Sequence, residues 1–287
     1  LVKISVVITT RNRPHFLEEA LYGISRQDIK PFEIIVVDDC STESYDNIES
    51  LMESLSVKYL KQPFNVGANA ARNIGINNSS GAIVAFLDDD DVWLPNYLSE
   101  VHARFLEGAD AVVTGFKQLG NENVIVVNND EKVTKPSLQR GNTYCGMSGF
   151  SCRRKVLEEN QFDENLPNGQ DWDMFVRLFT KGMDFRNIPK ALFLYRFQNE
   201  DGIGAKVRKL APKDIYPRLA SAYKHKEFLG DYWFKKRVSE QVLFSLKHKK
   251  NKKEWVFLSI ELAGIKATAN YFVRVLRRKI LKKPMAI

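Results

Sequence analysis

The sequence predicts an α/β fold on a parallel sheet followed by a basic helical extension, and three observations predict it. Short apolar runs rich in β-branched residues alternate with segments of helical spacing through the first third of the chain, the pattern of strands joined by right-handed helical crossovers. Two of those runs end in acidic residues, which puts polar chemistry at the carboxyl edge of the sheet, where open α/β sheets bind ligands. Charge then divides the chain. Residues 201–287 carry 22 Lys and Arg against 7 Asp and Glu, and residues 1–200 carry 21 against 28. The expected organisation is an acidic body over 1–200 and a basic tail over 201–287, changing near the Asn199–Gly204 turn signal.

Composition removes several function classes. Hydrophobic residues at 44% and charged residues at 27% are ordinary globular values, which excludes wholesale disorder. No apolar run approaches the roughly 18 residues of a membrane-spanning helix. Leu1–Thr10 lacks the basic lead and cleavage-like site of a leader peptide and is better used as a strand. Cys40, Cys145 and Cys152 have no metal-ligand spacing and cannot all pair, which points to free thiols in a reducing compartment. His15, His102, His225 and His248 are scattered and suggest no metal site.

Taken in order, Lys3–Thr10 reads as a first buried strand, and Pro14 suits the first turn of a helix ending near Gln27. Phe32–Val37 is the second strand and runs into Asp38-Asp39-Cys40-Ser41-Thr42. Tyr45–Leu55 has helical spacing, with Ile48, Leu51, Met52 and Leu55 on one side. Val57–Leu60 is a short third strand. Asn65–Gly75 is a loop and helix whose small residues let backbones approach closely. Ala82–Leu87 is a strand buried on both faces, and Pro95 can open a helix to Leu106.

That last strand enters Asp88, Asp89, Asp90 and Asp91, and four adjacent carboxylates repel one another. Either the side chains splay into water as a solvated acidic turn, or a divalent cation such as Mg²⁺ or Mn²⁺ neutralises some of them. Asp38 and Asp39 after the second strand are open to two readings as well, helix capping or ligand binding. Together with Thr9 at the end of strand one, the two acidic groups describe a pocket that can accept hydrogen bonds from a base and sugar and hold a metal beside them.

Five blocks then carry a resemblance: Ser5-Val-Val-Ile-Thr-Thr-Arg-Asn12, Val36-Val-Asp-Asp-Cys-Ser-Thr42, Asn65-Val-Gly67 with Ala71-Arg-Asn-Ile-Gly75, Phe86-Leu-Asp-Asp-Asp-Asp-Val-Trp-Leu-Pro95, and Gly169-Gln-Asp-Trp-Asp-Met-Phe-Val-Arg-Leu178. Over roughly residues 3–197 the chain resembles the family 2 glycosyltransferases of the GT-A fold, which transfer a sugar from a nucleotide diphosphate donor with inversion at the anomeric carbon. The resemblance implies that Thr9, Asp38, Asp39 and Arg72 line the nucleotide. It also implies that Asp88 reaches the ribose or diphosphate and that Asp90, with Asp88, ligates a divalent cation, Mn or Mg. Where this chain has Asp89, the family more often has a small polar residue.

Asn168-Gly169 is a turn signal, after which Trp172, Phe175, Val176 and Phe179 fall at helical spacing to about Lys181. Spacing alone makes Asp171 and Asp173 first-turn acids favoured by the helix dipole. The resemblance implies instead that Asp171 is the catalytic base, from a Glu-Asp pair in which Gln170 replaces the Glu. The small-residue segment Tyr144–Gly149 reads either as an acceptor entrance or as a plain strand and turn.

Helical stretches in the tail are expected around Tyr232–Leu246 and Trp255–Leu281, separated by Lys247-His-Lys-Lys-Asn-Lys-Lys253. In the last of them Phe272, Val275, Leu276 and Ile280 share one face, and Arg274, Arg277, Arg278 and Lys282 share the other. Three readings are open: an anionic membrane surface, a solvated face packed on the body, and nucleic acid, for which no module is present. The expected protein is an inverting, metal-dependent glycosyltransferase that moves a sugar from a nucleotide diphosphate sugar, UDP-linked, to a saccharide acceptor, lipid-linked, in surface polysaccharide synthesis. It would sit in the cytoplasm on the inner face of the membrane, without a nucleic-acid partner. The alternative is a non-enzymatic basic protein that binds membrane or nucleic acid and keeps a degenerate sugar-nucleotide fold.

Overall fold

The computed structural model describes residues 2–197 and 207–280, except for the side chains of residues 278 and 279. Two compact units make up the chain. The first holds residues up to 197 other than 139–141 and 166–169, which belong with the second.

The first unit is a nine-stranded sheet with helices. Its elements in order are β1 (Ile4–Thr10), α1 (Pro14–Ser25), β2 (Glu33–Asp38), α2 (Glu49–Ser54), β3 (Val57–Lys61), α3 (Ala68–Asn77) and β4 (Ile83–Asp88). They continue with β5 (Val92–Trp93), α4 (Tyr97–Leu106), β6 (Ala111–Gln118), β7 (Asn121–Val126), α5 (Lys135–Arg140), β8 (Phe150–Arg153), α6 (Arg154–Glu159), α7 (Gln170–Thr180) and β9 (Phe185–Tyr195). Strand order is β3-β2-β1-β4-β8-β6-β9-β5, with β7 beside β6. The alternating apolar runs form the parallel half as expected: β1 pairs in parallel with β2 and β4, and β2 with β3. All-parallel pairing does not extend further. β8 lies antiparallel between β4 and β6, and β5 antiparallel on β9, while β6 and β9 pair in parallel.

Burial follows the sequence pattern. Val6, Val7 and Ile8 in β1, Ile35, Val36 and Val37 in β2, and Val84 through Leu87 in β4 are all within 1% of fully buried, as strands covered on both faces require. Gly75 shows why α3 is built of small residues: a Cβ there would stand 2.3 Å from Cγ1 of Val7. Tyr45–Leu55 is a 3₁₀ turn over Asp46–Ile48 followed by the short α2, and not one helix. Tyr45 is drawn out by a 2.8 Å bond between its hydroxyl and Thr10 Oγ1.

The second unit is helical, with Tyr216–Lys224, Lys226–Leu243, Lys252–Ala263 and Ile265–Ile280. Lys226–Leu243 kinks at Gly230, where φ is 68°. The stretch expected as one helix from Trp255 is broken at Gly264, whose φ of 84° closes the preceding helix with an N–H bond of 2.8 Å to Ile260 O. Glycine is the residue that takes this left-handed position without strain. Val238, Val242, Leu243 and Trp255 form the unit's core. Phe272, Val275, Leu276 and Ile280 are exposed. Leu281, Lys282 and Lys283, the Arg278 side chain, and the proposed boundary at Asn199–Gly204 lie outside the described residues.

Candidate active site

The parallel register fixes which predicted residues share a face. Thr9 pairs with Val37 on one side and with Asp88 on the other, while Thr10 pairs with Asp38. Side chains alternate along a strand, so Thr9 and Asp88 lie on one face at the carboxyl edge and Thr10 and Asp38 on the opposite one. Thr9 and Asp88 are half-buried there.

Asp38 and Asp39 organise the loops around that edge. Asp38 is fully buried and accepts bonds from Ser41 N at 2.9 Å, Ser41 Oγ at 2.5 Å and Tyr59 OH at 2.5 Å. Burial, and then the bond to Asp38, push the Tyr59 phenol well above its ordinary value. Asp39, 7% exposed, accepts from the N–H groups of Val66 at 2.6 Å and Gly67 at 3.1 Å, fastening the loop that starts α3. Arg72 in α3 places its NH2 2.8 Å from Asp88 Oδ1 and lies over the Phe162 ring.

The four carboxylates that end and follow β4 divide into two pairs, and protein cations meet three of them. Asp88 and Asp90 keep 30% and 20% of their side chains exposed, whereas Asp89 is closed off. Asp89 accepts from Thr10 Oγ1 at 2.7 Å and meets Arg13 NH2 at 2.5 Å, and Arg13 NH1 reaches Asp90 at 3.2 Å. Asp91, buried, accepts from Ser148 Oγ at 2.6 Å and Arg196 N at 2.9 Å. Ser148 Oγ in turn accepts from Asp88 N at 3.0 Å. Burial pushes Asp89 up to about 7 against the attraction of Arg13 and the Thr10 bond, and raises Asp91 well above the carboxylate range. So arginines meet Asp88, Asp89 and Asp90 within the fold, burial favours the neutral form of Asp91, and Asp88 and Asp90 alone keep part of their surface in water.

Among the described residues no three Asp, Glu, His or Cys side chains converge into a ready cage. The donor set still suits Mg²⁺ or Mn²⁺, which are commonly held by one or two carboxylates and completed by substrate phosphates. Asp88 and Asp90 offer those hard oxygens at the partly exposed rim.

Asp171 is in the first turn of α7. Its Oδ2 accepts from Asn142 Nδ2 at 2.5 Å and its Oδ1 from Trp172 N at 2.7 Å, and Asn142 also donates to Cys145 O. Asp173 differs: it is 1% exposed and pairs at 2.9 Å with Arg177, which donates to Gln161 O, so it braces the fold. Tyr195 at the end of β9 ties the two acid groups together. Its phenol is raised by burial and then by Asp91, Asp88, Asp90 and Asp171, which all act on it, and the rings of Phe116 and Phe197 hold it in place. Asp171 and Asp88 also both act on the buried Cys145 thiol, raised chiefly by burial. Within Tyr144–Gly149, Tyr144, Cys145, Met147, Ser148 and Gly149 are buried, and Ser148 braces the acidic turn.

Sequence reasoning missed Arg13, Asn142, Ser148, Tyr195 and Arg196. Arg13 left a readable signal: a cation at a helix start opposes the helix dipole and calls for a carboxylate partner.

The family described as Glycosyl transferase family 2 matches residues 5–160. The chain belongs to glycosyl transferase family 2. Over 206 residues it is 32% identical to the uncharacterized glycosyltransferase YwdF of Bacillus subtilis, covering 69% of this chain and 75% of that one. Over 214 residues it is 30% identical to the GalNAc(5)-diNAcBac-PP-undecaprenol beta-1,3-glucosyltransferase of Campylobacter jejuni, covering 70% and 67%. Two solved structures share the fold. S. aureus TarS 1-349 in complex with UDP-GlcNAc superposes with a TM-score of 0.68 at 19% identity, over 93% of this chain and 83% of that one. The mannosyltransferase PcManGT of Pyrobaculum calidifontis, in complex with GDP-Man and Mn2+, gives 0.62 at 16%, over 96% and 80%. This family 2 glycosyltransferase therefore has the GT-A fold with a helical C-terminal region, and the first four sequence blocks lie within the residues that the family matches.

Proposed function

We propose that this glycosyltransferase moves a sugar from a UDP-linked donor to a hydroxyl of a lipid-linked saccharide, with inversion at the anomeric carbon, in the building of a surface polysaccharide. The observation that carries the reading is the joint placement of the Asp88–Arg72 pair and Asp171, two acid groups that act on one phenol, Tyr195. UDP-GlcNAc in TarS and the undecaprenol-linked substrate in the Campylobacter relative's name support the donor and acceptor classes.

In this reading Thr9, Asp38 and Asp39 enclose the nucleotide, Asp38 and Asp39 by holding the loops that shape its pocket. Arg72 and Asp88 meet the ribose and diphosphate. Asp90 and Asp88 would hold a divalent cation, Mn or Mg, of the kind the PcManGT complex contains, and such a cation supplies positive charge against the departing diphosphate. Asp171 takes the proton of the acceptor hydroxyl as the new C–O bond forms and the bond to the diphosphate breaks, and Arg72 helps to offset the charge that leaves. A single displacement inverts the anomeric carbon. Residues 1–200 would carry this chemistry. The extension over 201–287 would lie on the anionic inner face of the cytoplasmic membrane through its last helix, whose exposed Phe272, Leu276 and Ile280 suit insertion beside basic residues. Among the described residues no helix is long and apolar enough to cross a membrane.

Incubation with a panel of nucleotide sugars and Mn²⁺ or Mg²⁺, following nucleotide diphosphate release, tests the reading. Release from a UDP sugar, suppressed by EDTA, is expected. Asp171→Asn keeps the size of the side chain and removes the proton acceptor, so transfer should fall about 10²-fold or more while donor affinity holds. Lost donor affinity with an unchanged rate per bound donor would make Asp171 a binding residue and leave the base elsewhere.

A further inference from the structure

A basic cleft in the second unit has no part in the chemistry above. The chain enters the helix Lys252–Ala263 through Asn251, which takes the left-handed conformation with φ of 50°. There it forms an open cleft of about 450 Å³ lined by Lys249, Asn251, Lys252, Lys253 and Glu254. The first turn of a helix presents N–H groups without intrahelical partners and the positive end of its dipole. Glu254 lines the same cleft, but Asn251 Nδ2 donates to its carboxylate at 3.1 Å.

Lys249 is 4% exposed, and its Nζ, 3.1 Å from the centre of the Trp255 ring in that first turn, has no hydrogen-bond acceptor among the described residues. Arg218 acts on it from a neighbouring helix, and the buried Nε of Arg218 also lacks an acceptor. Burial, then Arg218, push the Lys249 ammonium down to about 8. A buried ammonium without a hydrogen-bond acceptor, with a second cation acting on it, is expensive as it stands, because a buried charge needs a partner.

We propose that this cleft binds a phosphate or diphosphate monoester, held by Lys249, by the N–H groups of Lys252 and Lys253 at the helix start and by their side chains at the rim, with Arg218 adding positive charge nearby. Phosphate fits better than a single carboxylate, because its several oxygens can meet separate donors at once and helix starts favour such anions. The same chemistry is offered by a lipid headgroup and by a soluble phosphate, and the two sources separate by experiment.

The full chain is titrated with inorganic pyrophosphate in EDTA, following ³¹P line broadening. It is also floated with vesicles carrying phosphatidate, a phosphate monoester, against vesicles matched in charge with phosphatidylglycerol, a diester. Lys249→Met should weaken the responding probe at least about tenfold, the scale of one charge-assisted hydrogen bond. A soluble-phosphate site shows this loss with pyrophosphate and unchanged flotation. A headgroup site shows it as a lost preference for phosphatidate. Lys252→Gln with Lys253→Gln, both exposed, supplies the same reading if Lys249→Met does not fold. Wild-type binding of both probes by the deciding variant, or no binding of either probe by the natural chain, overturns the proposal.

Discussion

The acidic turn Asp88–Asp91 and the basic cleft at Lys249 both withdraw charge from water, and they leave it in opposite conditions. In the turn, the buried Asp89 has Thr10 and Arg13, and Asp91 has Ser148 and the Arg196 N–H. The more exposed Asp88 and Asp90 also meet arginines, yet keep part of their surface for a ligand. In the cleft, Lys249 is more buried than either rim carboxylate and has only an aromatic face beneath it. The turn thus carries its counter-charge within the fold, and among the described residues the Lys249 ammonium has no acceptor. A compensated cluster is expected to be costly to disturb, and an uncompensated one cheap, so substitutions in the two regions should separate in stability.

The largest expected effect is in the turn. Arg13→Met leaves Asp89 buried without its cation. Losing one partner of a buried pair costs about 3–5 kcal/mol, and because Arg13 is itself 35% exposed, about 2–3 kcal/mol is expected at pH 8 by chemical denaturation. Adding Asp89→Asn should restore most of it, since the double variant removes the orphaned charge along with its partner. A cost that stays the same in the double variant would show that Arg13 contributes by packing on Phe16 and not by pairing.

A smaller effect per pH unit tests the same pair without a cation variant. Asp89 rises to about 7 when folded, above the value near 3.9 of an unfolded chain. Between about pH 4 and 7 the native state therefore binds more protons, so this residue's contribution is fully present below about pH 4, declines as pH rises, and is lost above about 7. Lowered groups such as Glu33 and Asp184 act in the other direction. The measurement is therefore a difference: unfolding free energy against pH for the natural chain minus that for Asp89→Asn should slope downward across the window by up to about 1.4 kcal/mol per unit. A flat difference would mean that Arg13 keeps Asp89 ionised throughout.

What the sequence made legible follows the same division. Apolar runs revealed β1, β2 and β4, because a strand buried on both faces leaves a continuous signature, and the acids that end β2 and β4 marked the edge they share and, with the other blocks, the family. The turn's acids were legible too, but not their partners. Arg13, Ser148 and Arg196 reach Asp89, Asp90 and Asp91 from positions far away in sequence, and only the sheet order brings them together. The antiparallel insertion of β8 was hidden because a four-residue strand has too few positions to show alternation. Gly264 was visible inside a helical pattern, yet its role as a helix stop depends on a backbone angle that a single glycine does not announce. In the tail, the sequence shows the basic run only as a separation between two helical stretches. The burial of Lys249 could not be foreseen, because a lysine in such a run is ordinarily solvated.

The smallest expected effect is the one that makes the comparison sharp. Lys249→Met removes a buried ammonium and leaves an unbranched apolar chain that can lie on Trp255 in its place. Two terms oppose each other: loss of a desolvated cation–π contact, worth up to about 2 kcal/mol, and release from holding a charge away from water without an acceptor. Near cancellation is expected, with a net change within about 1 kcal/mol in either direction and a slightly more favourable outcome at pH 7 than at pH 9, where the natural lysine, lowered to about 8, already gives up its proton. Thermal and chemical denaturation of the natural chain and the variant at both pH values measure this. A loss as large as that of Arg13→Met would mean that the Trp255 contact fully compensates the lysine, and the cleft would then hold a structural cation instead of a charge awaiting an anion.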